Sequence, residues 1–447
     1  MQTLEDRIQE YGSAVKMLRS SPLGHWVFPF QPQFSNWRDE QQAWADNVVF
    51  FDQSFHMDDR YFEGRDVKRL FSDVAVNDFS RFGMNKANQV IAVTPDGKYI
   101  GDSICFGFGE NRYSIVGGPL LANWLEYNAK MGDYDVEITL DPRSEINPNA
   151  RKLFRFQVQG PKALDAIRRA AGGSMPEIKF FNIGEFEIAG VPVRALNHTM
   201  AGVPGHEHTG LEITGDFAQH GVVYNAIIEA GREFDLHEGG SVAYPTTCLE
   251  SGWVSIPVPA IYSGDGMKAY RQHLSANTLE GHASLGGSFL SDDIDDYYYT
   301  PWDLGLGRTV KFTHDFIGRE ALERSANEPR LRKVRLEWNN DDALRLLGRS
   351  LFADDSTRTK YMNLPLSTYT IYQVDKVMAG DTIVGRSEYT GYLSTARKFV
   401  SIGLVDEQHA VSGTELTVVW GNAGDNPSVE KHAPCAVRVT VDANAFR

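Results

Sequence analysis

The chain has 447 residues, of which 42% are hydrophobic and 23% charged, ordinary values for a globular protein long enough for two or three domains. Its 44 lysines and arginines stand against 59 aspartates and glutamates, and the formal net charge of −15 argues against nucleic acid or an anionic membrane as the main partner. The three cysteines have no paired spacing, no signal-peptide core opens the chain, and no run of about 18 apolar residues occurs. We therefore predict a cytoplasmic protein without a membrane span.

The first predicted element is a helix, because apolar residues recur at helical spacing over residues 4–20. Amphipathic helices are predicted further along, interleaved with strand-like runs. The helices are at 66–73, 162–171 and 221–234, and the strand-like runs include 90–94, 113–117, 154–160 and 191–197. Short strands that alternate with helices predict an α+β architecture rather than a helix bundle.

The pattern changes near residue 326, after a polar connector. Strand-like runs separated by turns follow, at 334–338, 369–378, 382–392, 399–405, 415–420 and 435–441. They predict a C-terminal antiparallel β domain over 326–447, preceded by a region over 1–325.

Several short motifs carry little weight. The Gly-x-Gly pairs at 107–109 and 305–307 lack the third glycine of a dinucleotide loop, which favours a turn or a bulge at each. His206 and His208 have no third and fourth ligand nearby, so a solvated loop is favoured over a contact with substrate or cofactor, and a metal site least of all. The aspartates at 292–296 predict a solvated acidic loop.

Four stretches together resemble the family of the glycine-cleavage aminomethyltransferase, or T-protein. They are the Gln-Gly-Pro turn at 159–161, the segment 200–213, the segment 305–322, and the turn and strand start at 412–416. The resemblance covers nearly the whole chain. It implies two aminomethyltransferase-like folate- and substrate-binding lobes around a central channel, followed by a C-terminal antiparallel β-barrel domain.

A narrower resemblance is to the tetrahydrofolate-dependent aromatic O-demethylases, which act on vanillate, 3-O-methylgallate or syringate. It rests on residues 34–38, on the string FDQSFHM at 51–57, on residues 179–182, and on Tyr244 with Trp253. It implies tetrahydrofolate as cofactor, a small methoxylated aromatic acid as substrate, and no obligate protein partner.

The resemblance also implies roles for individual residues, and no metal ligand is among them. It implies catalytic roles for Tyr244 and His56, cofactor contacts by Glu212, Trp253, Gln159 and Asp102, and substrate contacts by Gln53, His56, Trp26, Phe28, Gly118 and His25.

The chemistry suits these residue types. Demethylation of an aryl methyl ether needs a nucleophile held in line with the methyl carbon and a proton for the ether oxygen. A tyrosine, with an unperturbed pKa of about 10, matches a phenol and can supply that proton, which suits Tyr244. A carboxylate such as Glu212 suits the paired N–H donors of a pterin, because charged acceptors make strong, oriented hydrogen bonds.

Alternatives remain for each residue. Tyr244 could be a partly buried strand tyrosine, Trp253 a core residue and Glu212 a surface charge, and His56 a satisfied interior histidine. Two other functions also remain. Asp102 would be the key residue of an amine-type one-carbon transferase, and a folate-binding protein without turnover would need no acid at all.

Gly118 marks a departure from the resemblance. Vanillate-type relatives place an arginine there that pairs the substrate carboxylate, and glycine cannot replace it. We therefore expect a pocket without that cation, in which His25, His56 and backbone N–H groups near Gly118 are the donors. With Trp26 and Phe28 less polar than in relatives, the sequence predicts poor activity on vanillate. Better substrates would carry the carboxylate ortho to the methoxy group or a chlorinated ring, as in dicamba.

Overall fold

Four β-sheets organise the part of the chain that the structure describes. The structure is a computed structural model and describes residues 2–24, 26–143, 151–198, 210–424, 426 and 428–446. The strands are β1 (Val48–Asp52), β2 (Asp58–Glu63), β3 (Ala87–Val93), β4 (Tyr99–Gly109), β5 (Arg112–Gly117), β6 (Glu137–Asp141), β7 (Leu153–Gln159), β8 (Ile183–Ile188), β9 (Val191–Asn197), β10 (Gly210–Asp216), β11 (Leu236–Glu238), β12 (Leu285–Gly286), β13 (Leu331–Trp338), β14 (Tyr372–Gln373), β15 (Asp375–Ala379), β16 (Thr382–Leu393), β17 (Lys398–Asp406), β18 (Glu415–Trp420) and β19 (Cys435–Asp442).

Helices cover or connect these sheets. They are α1 (Leu4–Tyr11), α2 (Ala14–Ser20), α3 (Trp37–Asp46), α4 (Val67–Val74), α5 (Pro119–Met131), α6 (Ala163–Ala170), α7 (His220–Gly231), α8 (Thr247–Ser251), α9 (Lys268–His273), α10 (Leu279–His282), α11 (Arg319–Ser325) and α12 (Asn340–Phe352). Within the described ranges, no helix combines the length and the apolar character that a membrane span needs.

A six-stranded sheet has the order β11-β1-β7-β10-β9-β8. Side chains alternate across its central strand β7, as they must in a strand. Phe154, Phe156 and Val158 pack with α6 and α7 in one core. Arg155 and Gln157 therefore point to the opposite face, where they are nevertheless buried. The face of the sheet opposite α6 and α7 is therefore polar and is covered by other parts of the molecule.

A five-stranded antiparallel sheet has the order β3-β4-β5-β2-β6. Its core includes residues of α4 and α5. The register between β4 and β5 shifts between Gly107 and Gly109, which confirms the predicted turn or bulge at that Gly-x-Gly pair. Asp102 on β4 and Gly117 at the end of β5 both line the cavity described below.

The C-terminal strands close into an antiparallel barrel with the order β13-β17-β16-β15-β18-β19, which confirms the predicted C-terminal β region. The first barrel strand begins at Leu331, whereas the domain boundary near residue 326 stays a prediction. A further core lies between the barrel and the five-stranded sheet, since Ile91 and Val93 pack in the same cluster as Val400 and Ile402.

Two predicted elements were wrong in their continuity. The helix expected over 4–20 is broken at Gly12, whose φ of 78° ends α1, and Ser13 then caps α2. The strand expected over 369–378 is divided between β14, which pairs with β12, and β15 of the barrel. The aspartates of the 292–296 segment are exposed, as predicted.

Candidate active site

A cavity of about 610 Å³ lies where the two larger sheets meet the barrel. Each of these three units contributes polar side chains to its wall. The six-stranded sheet contributes Arg155 and Glu212, the five-stranded sheet Gln89 and Asp102, and the barrel Lys333 and Glu388. A cavity therefore lies between the three units, whereas the folate-binding channel stays a prediction.

Tyr244 is held at this wall by two hydrogen bonds. Its hydroxyl lies 3.1 Å from Nε2 of His56 and 3.2 Å from Nε2 of Gln53. The other ring nitrogen of His56, Nδ1, lies 2.9 Å from the carbonyl oxygen of Gln53, which can only accept. His56 therefore carries its proton on Nδ1, and its Nε2 accepts the Tyr244 proton while the Gln53 amide donates to the Tyr244 oxygen.

Burial decides the charge of these groups. It lowers the pKa of His56 to about 4 and raises the pKa of Tyr244 well above its ordinary value. Both side chains are neutral at neutral pH, so Tyr244 keeps its proton. The expected match between the pKa of Tyr244 and that of a phenol was wrong for the protein alone, because burial makes the Tyr244 hydroxyl a weaker acid.

Tyr244 lies in a short 3₁₀ turn over Tyr244–Thr246, with Pro245 at its start. Its ring has edge-to-face contacts with Phe28 at 5.2 Å and Phe51 at 5.2 Å. The interpretation of Tyr244 as a partly buried strand tyrosine was therefore wrong, because the proline-containing turn, and not a strand, presents it to the cavity.

Part of the cavity wall that was expected to contact the substrate lies next to Tyr244. Phe28 stacks on His56 at 5.9 Å between ring centroids, and Trp26, Phe28 and Gly118 all line the cavity. The guanidinium of Arg143 lies 4.3 Å from the centre of a Trp26 ring. His25 lies outside the described residues, as do His206 and His208.

Glu212 belongs to a buried ionic network. Arg155 donates to Glu212 and, at 2.8 Å, to Asp59, and Nε2 of His198 lies 2.6 Å from Glu212. Burial by itself would raise the pKa of Glu212, but Arg155 and His198 outweigh it and lower that pKa to about 2. Glu212 is thus an ionised carboxylate in the cavity wall and not a surface charge.

The cavity wall contains an arginine, although not at position 118. Arg155 lines the cavity, and its guanidinium lies 4.7 Å from the centre of the Phe106 ring. The pattern around Gly118 could not reveal this, because Arg155 comes from a different sheet. Its charge is nevertheless shared between Asp59 and Glu212.

Asp102 and Trp253 form one unit. Trp253 Nε1 donates to Asp102 at 3.1 Å, and Tyr99 and Gln89 donate to the same carboxylate. Burial nevertheless raises the pKa of Asp102 from its ordinary value. Both Asp102 and Trp253 line the cavity, so Trp253 is not a core residue alone, and the carboxylate of Asp102 is oriented by three donors.

The barrel adds two ionisable groups that sequence analysis missed. Burial lowers the pKa of Lys333 to about 8 and raises that of Glu388 to about 7. Both line the cavity, so its barrel side can change charge near neutral pH.

Gln159 is not among the described residues that line the cavity. Its amide donates to the backbone oxygen of His198 at 3.0 Å, which places it behind the wall. Its neighbour Gln157 was missed: it is fully buried opposite Glu212 in the register of β7 and β10, and neither amide atom has a hydrogen-bond partner among the described residues. Alternate polar residues in an otherwise apolar strand were the signal for it.

Comparison with known proteins identifies the class. The GCVT N-terminal domain family matches residues 6–257, more than half of the chain, and the chain belongs to this family. The predicted aminomethyltransferase-like family is thus confirmed.

Two curated relatives and one solved structure refine this placement. The chain is 38% identical to a syringate O-demethylase of Sphingobium sp. (strain NBRC 103272 / SYK-6), over 98% of this chain and 95% of the relative. It is 31% identical to a sesamin methylene transferase of Sinomonas sp. (strain No.22), over 85% of this chain and 81% of the relative. Aminomethyltransferase T from Bartonella henselae has the same fold, with a TM-score of 0.61 at 15% identity, over 100% of this chain and 98% of that one.

Proposed function

We propose that this protein is an enzyme that moves the methyl group of a methoxylated aromatic acid to tetrahydrofolate, giving the phenol and 5-methyltetrahydrofolate. The observation that carries the proposal is the neutral Tyr244 hydroxyl, held between His56 and Gln53 in the wall of a cavity that also contains the ionised Glu212. A relative named for O-demethylation of syringate and one named for methylene transfer from sesamin support an aryl ether as substrate.

The described residues fit a reduced pterin. Glu212 uses one lone pair of each oxygen for Arg155 and His198, which leaves acceptor capacity for N–H groups. Phe106 adds an aromatic wall to the same cavity. Tetrahydrofolate supplies the nucleophilic nitrogen that takes the methyl group.

Three residues of the chain would then have different roles in the methyl transfer. Tyr244 would deliver its proton to the ether oxygen as the methyl–oxygen bond breaks, so that a phenol leaves instead of a phenolate, and the proton given up by the methylated nitrogen would restore the neutral Tyr244. The Gln53 amide, which already donates to the Tyr244 oxygen, stabilises the negative charge left on it. His56 is a positioning residue, because its Nε2 holds the hydroxyl proton in place between turnovers.

An amine-type transferase is less well supported. Such a reaction needs Asp102 as its key carboxylate, and here Tyr99, Gln89 and Trp253 already donate to that carboxylate. We assign Asp102 to orienting Trp253 beside the cofactor. Several statements stay predictions from the sequence. They are that the protein has no nucleic-acid, membrane or obligate protein partner, that it binds no metal, and that it is located in the cytoplasm.

The test is incubation without oxygen of the protein, tetrahydrofolate and a panel of syringate, vanillate and 2-methoxybenzoates including dicamba. We expect phenol and 5-methyltetrahydrofolate to form in equal amounts from at least one of them. Methyl transfer only with oxygen, or from no aryl ether, would contradict the proposal, and folate binding without turnover would indicate a binding protein. The preference for 2-methoxybenzoates over vanillate stays a prediction that the same panel decides.

A further inference from the structure

The segment that joins α2 to α3 forms part of the cavity wall. Its described residues, 21–24 and 26–36, have neither a helix nor a strand. Trp26 and Phe28 line the cavity, and the Phe28 ring contacts those of His56 and Tyr244. A wall built from irregular backbone needs contacts with other parts of the molecule to hold its side chains in one arrangement.

Arg143 makes such contacts in the middle of this segment. Its Nη2 donates to the backbone oxygen of Val27 at 2.8 Å, and its guanidinium lies 4.3 Å from the centre of a Trp26 ring. Among the described residues, no other hydrogen bond joins the stretch between Gly24 and Gln31 to the rest of the chain. One side chain therefore fixes both the backbone and an aromatic ring of the wall.

Arg143 is itself held in place by the five-stranded sheet. It follows the last residue of β6, and its backbone N–H donates at 2.6 Å to the carboxylate of Asp58, the first residue of β2. Asp58 comes two residues after His56, and Arg143 is only 8% exposed. The sheet is thus connected through Arg143 to the segment that carries Trp26.

An arginine suits this position better than a lysine. A planar guanidinium can stack on an indole and donate hydrogen bonds in its own plane at the same time, whereas an ammonium group is a compact point charge. The charge of Arg143 also reaches the proposed acid. Burial is the largest cause of the low pKa of His56, and the positive charges of Arg155 and Arg143 act in the same direction.

We propose that Arg143 is a positioning residue for the aromatic substrate, because it holds the Trp26 ring and the Val27 backbone in the arrangement that forms this part of the wall. The inference rests on the proposed function, in which Trp26 and Phe28 contact the substrate. Arg143 is not among the described residues that line the cavity, so it acts through the segment and does not touch the substrate.

The experiment replaces Arg143 with methionine, which keeps an unbranched apolar stem and removes the charge and the donors. With the best methoxybenzoate of the panel, KM should rise roughly tenfold and kcat should change less, since one hydrogen bond from a charged donor and one ring contact are lost. Tetrahydrofolate affinity should be unchanged. Arg143→Lys, which keeps the charge and a donor, should recover part of the loss.

Arg330→Met is the matched control. The guanidinium of Arg330 lies 5.6 Å from the centre of a Trp302 ring, and its Nη2 donates to the backbone oxygen of Ala326 at 2.8 Å. Neither Arg330 nor Trp302 is among the described lining residues. Loss of the same two interactions should therefore leave KM and folate affinity near their wild-type values.

A double-mutant cycle tests the route of the effect. If Arg143 acts through Trp26, Arg143→Met should raise KM markedly less in a Trp26→Ala background than in the wild type, because residues in contact are not additive. An equal rise in both backgrounds would overturn the proposed route.

Titration of the aromatic acid without turnover separates this inference from the proposed function. Weaker acid binding in Arg143→Met, with no methyl transfer by the wild type from any aryl ether, would support the positioning role and contradict the function. Unchanged KM and acid affinity in both Arg143 variants would overturn the inference while wild-type turnover sustains the function. An equal loss of folate affinity would also overturn it, because that result indicates a general structural role. If Arg143→Met does not fold, Arg143→Lys decides by the same criteria.

Discussion

Replacing Tyr244 with phenylalanine tests the proposed acid directly. The change removes one oxygen, which leaves Nε2 of His56 without its donor and Nε2 of Gln53 without its acceptor. A general acid contributes about 10²–10⁴-fold, so at about 1.4 kcal/mol per decade the barrier should rise by roughly 3–6 kcal/mol. Each nitrogen left unpaired costs about 1–3 kcal/mol of stability as an upper range.

The assay is single-turnover methyl transfer with tetrahydrofolate in excess, together with a folate titration. We expect folate affinity within about threefold of wild type, since the described hydrogen bonds of Tyr244 do not reach Glu212. Tyr270→Phe is the control for removing a buried hydroxyl, because Tyr270 is buried, its OH has no described partner, and it is not among the described lining residues.

The choice of leaving group sharpens this test. A substrate whose phenol is more acidic needs less help from a proton donor, so the Tyr244→Phe defect should shrink with a nitro- or chloro-substituted aryl ether. Turnover within about tenfold of wild type, or a defect that is independent of the leaving group, would refute the assignment of Tyr244 as the proton donor.

Four other substitutions test the rest of the site. Glu212→Gln should weaken tetrahydrofolate about tenfold or more while aryl-ether binding survives. Asp59→Asn is its control, because it breaks the other ion pair of Arg155 and Asp59 is not among the described lining residues. An equal loss of folate affinity in Glu212→Gln and Asp59→Asn would show that Glu212 has only a structural role. For His56, the folded pKa of about 4 lies below the unfolded 6.5, so stability is fully present above pH 6.5 and about 3 kcal/mol of it is lost as pH falls to 4. Chemical unfolding at pH 7 and 4.5 should therefore show a shallower pH dependence for His56→Gln, and an identical slope would contradict the neutral assignment. Gly118→Arg should raise the vanillate to 2-methoxybenzoate ratio of kcat/KM about tenfold, because φ is −68° and the Cβ has open space, whereas an unchanged ratio would place the carboxylate elsewhere.

Local sequence patterns predicted those helices and strands that depend mainly on residues close together in the chain. Alternating apolar residues in ELTVVW predicted β18, and the structure has that strand over Glu415–Trp420. The helix expected over 4–20 has the right apolar spacing, but a single left-handed glycine at position 12 divides it. Strand continuity over 369–378 failed because its first half pairs with the distant β12, whereas its second half pairs with β16, the next strand in the chain. No local pattern encodes the pairing with β12.

The site was predictable only where a motif carried it. The resemblance indicated Tyr244, His56 and Gln53, which the structure joins by hydrogen bonds. The ion pairs of Arg155 were not predictable, because Asp59 and Glu212 belong to strands of two different sheets. Three-dimensional pairing, and not residue type, makes that arginine part of the cavity.

The core between the five-stranded sheet and the barrel bears on how such a protein can diverge. Ile91 and Tyr99 pack in one cluster with Val400 and Ile402, and barrel residue Lys333 lines the cavity. A barrel inherited from a relative by recombination would bring its own packing partners and its own cavity charges at once. New substrate ranges in this lineage should therefore arise by gradual substitution along one continuous chain rather than by exchange of whole domains. Residues of the five-stranded sheet and of the barrel should change together.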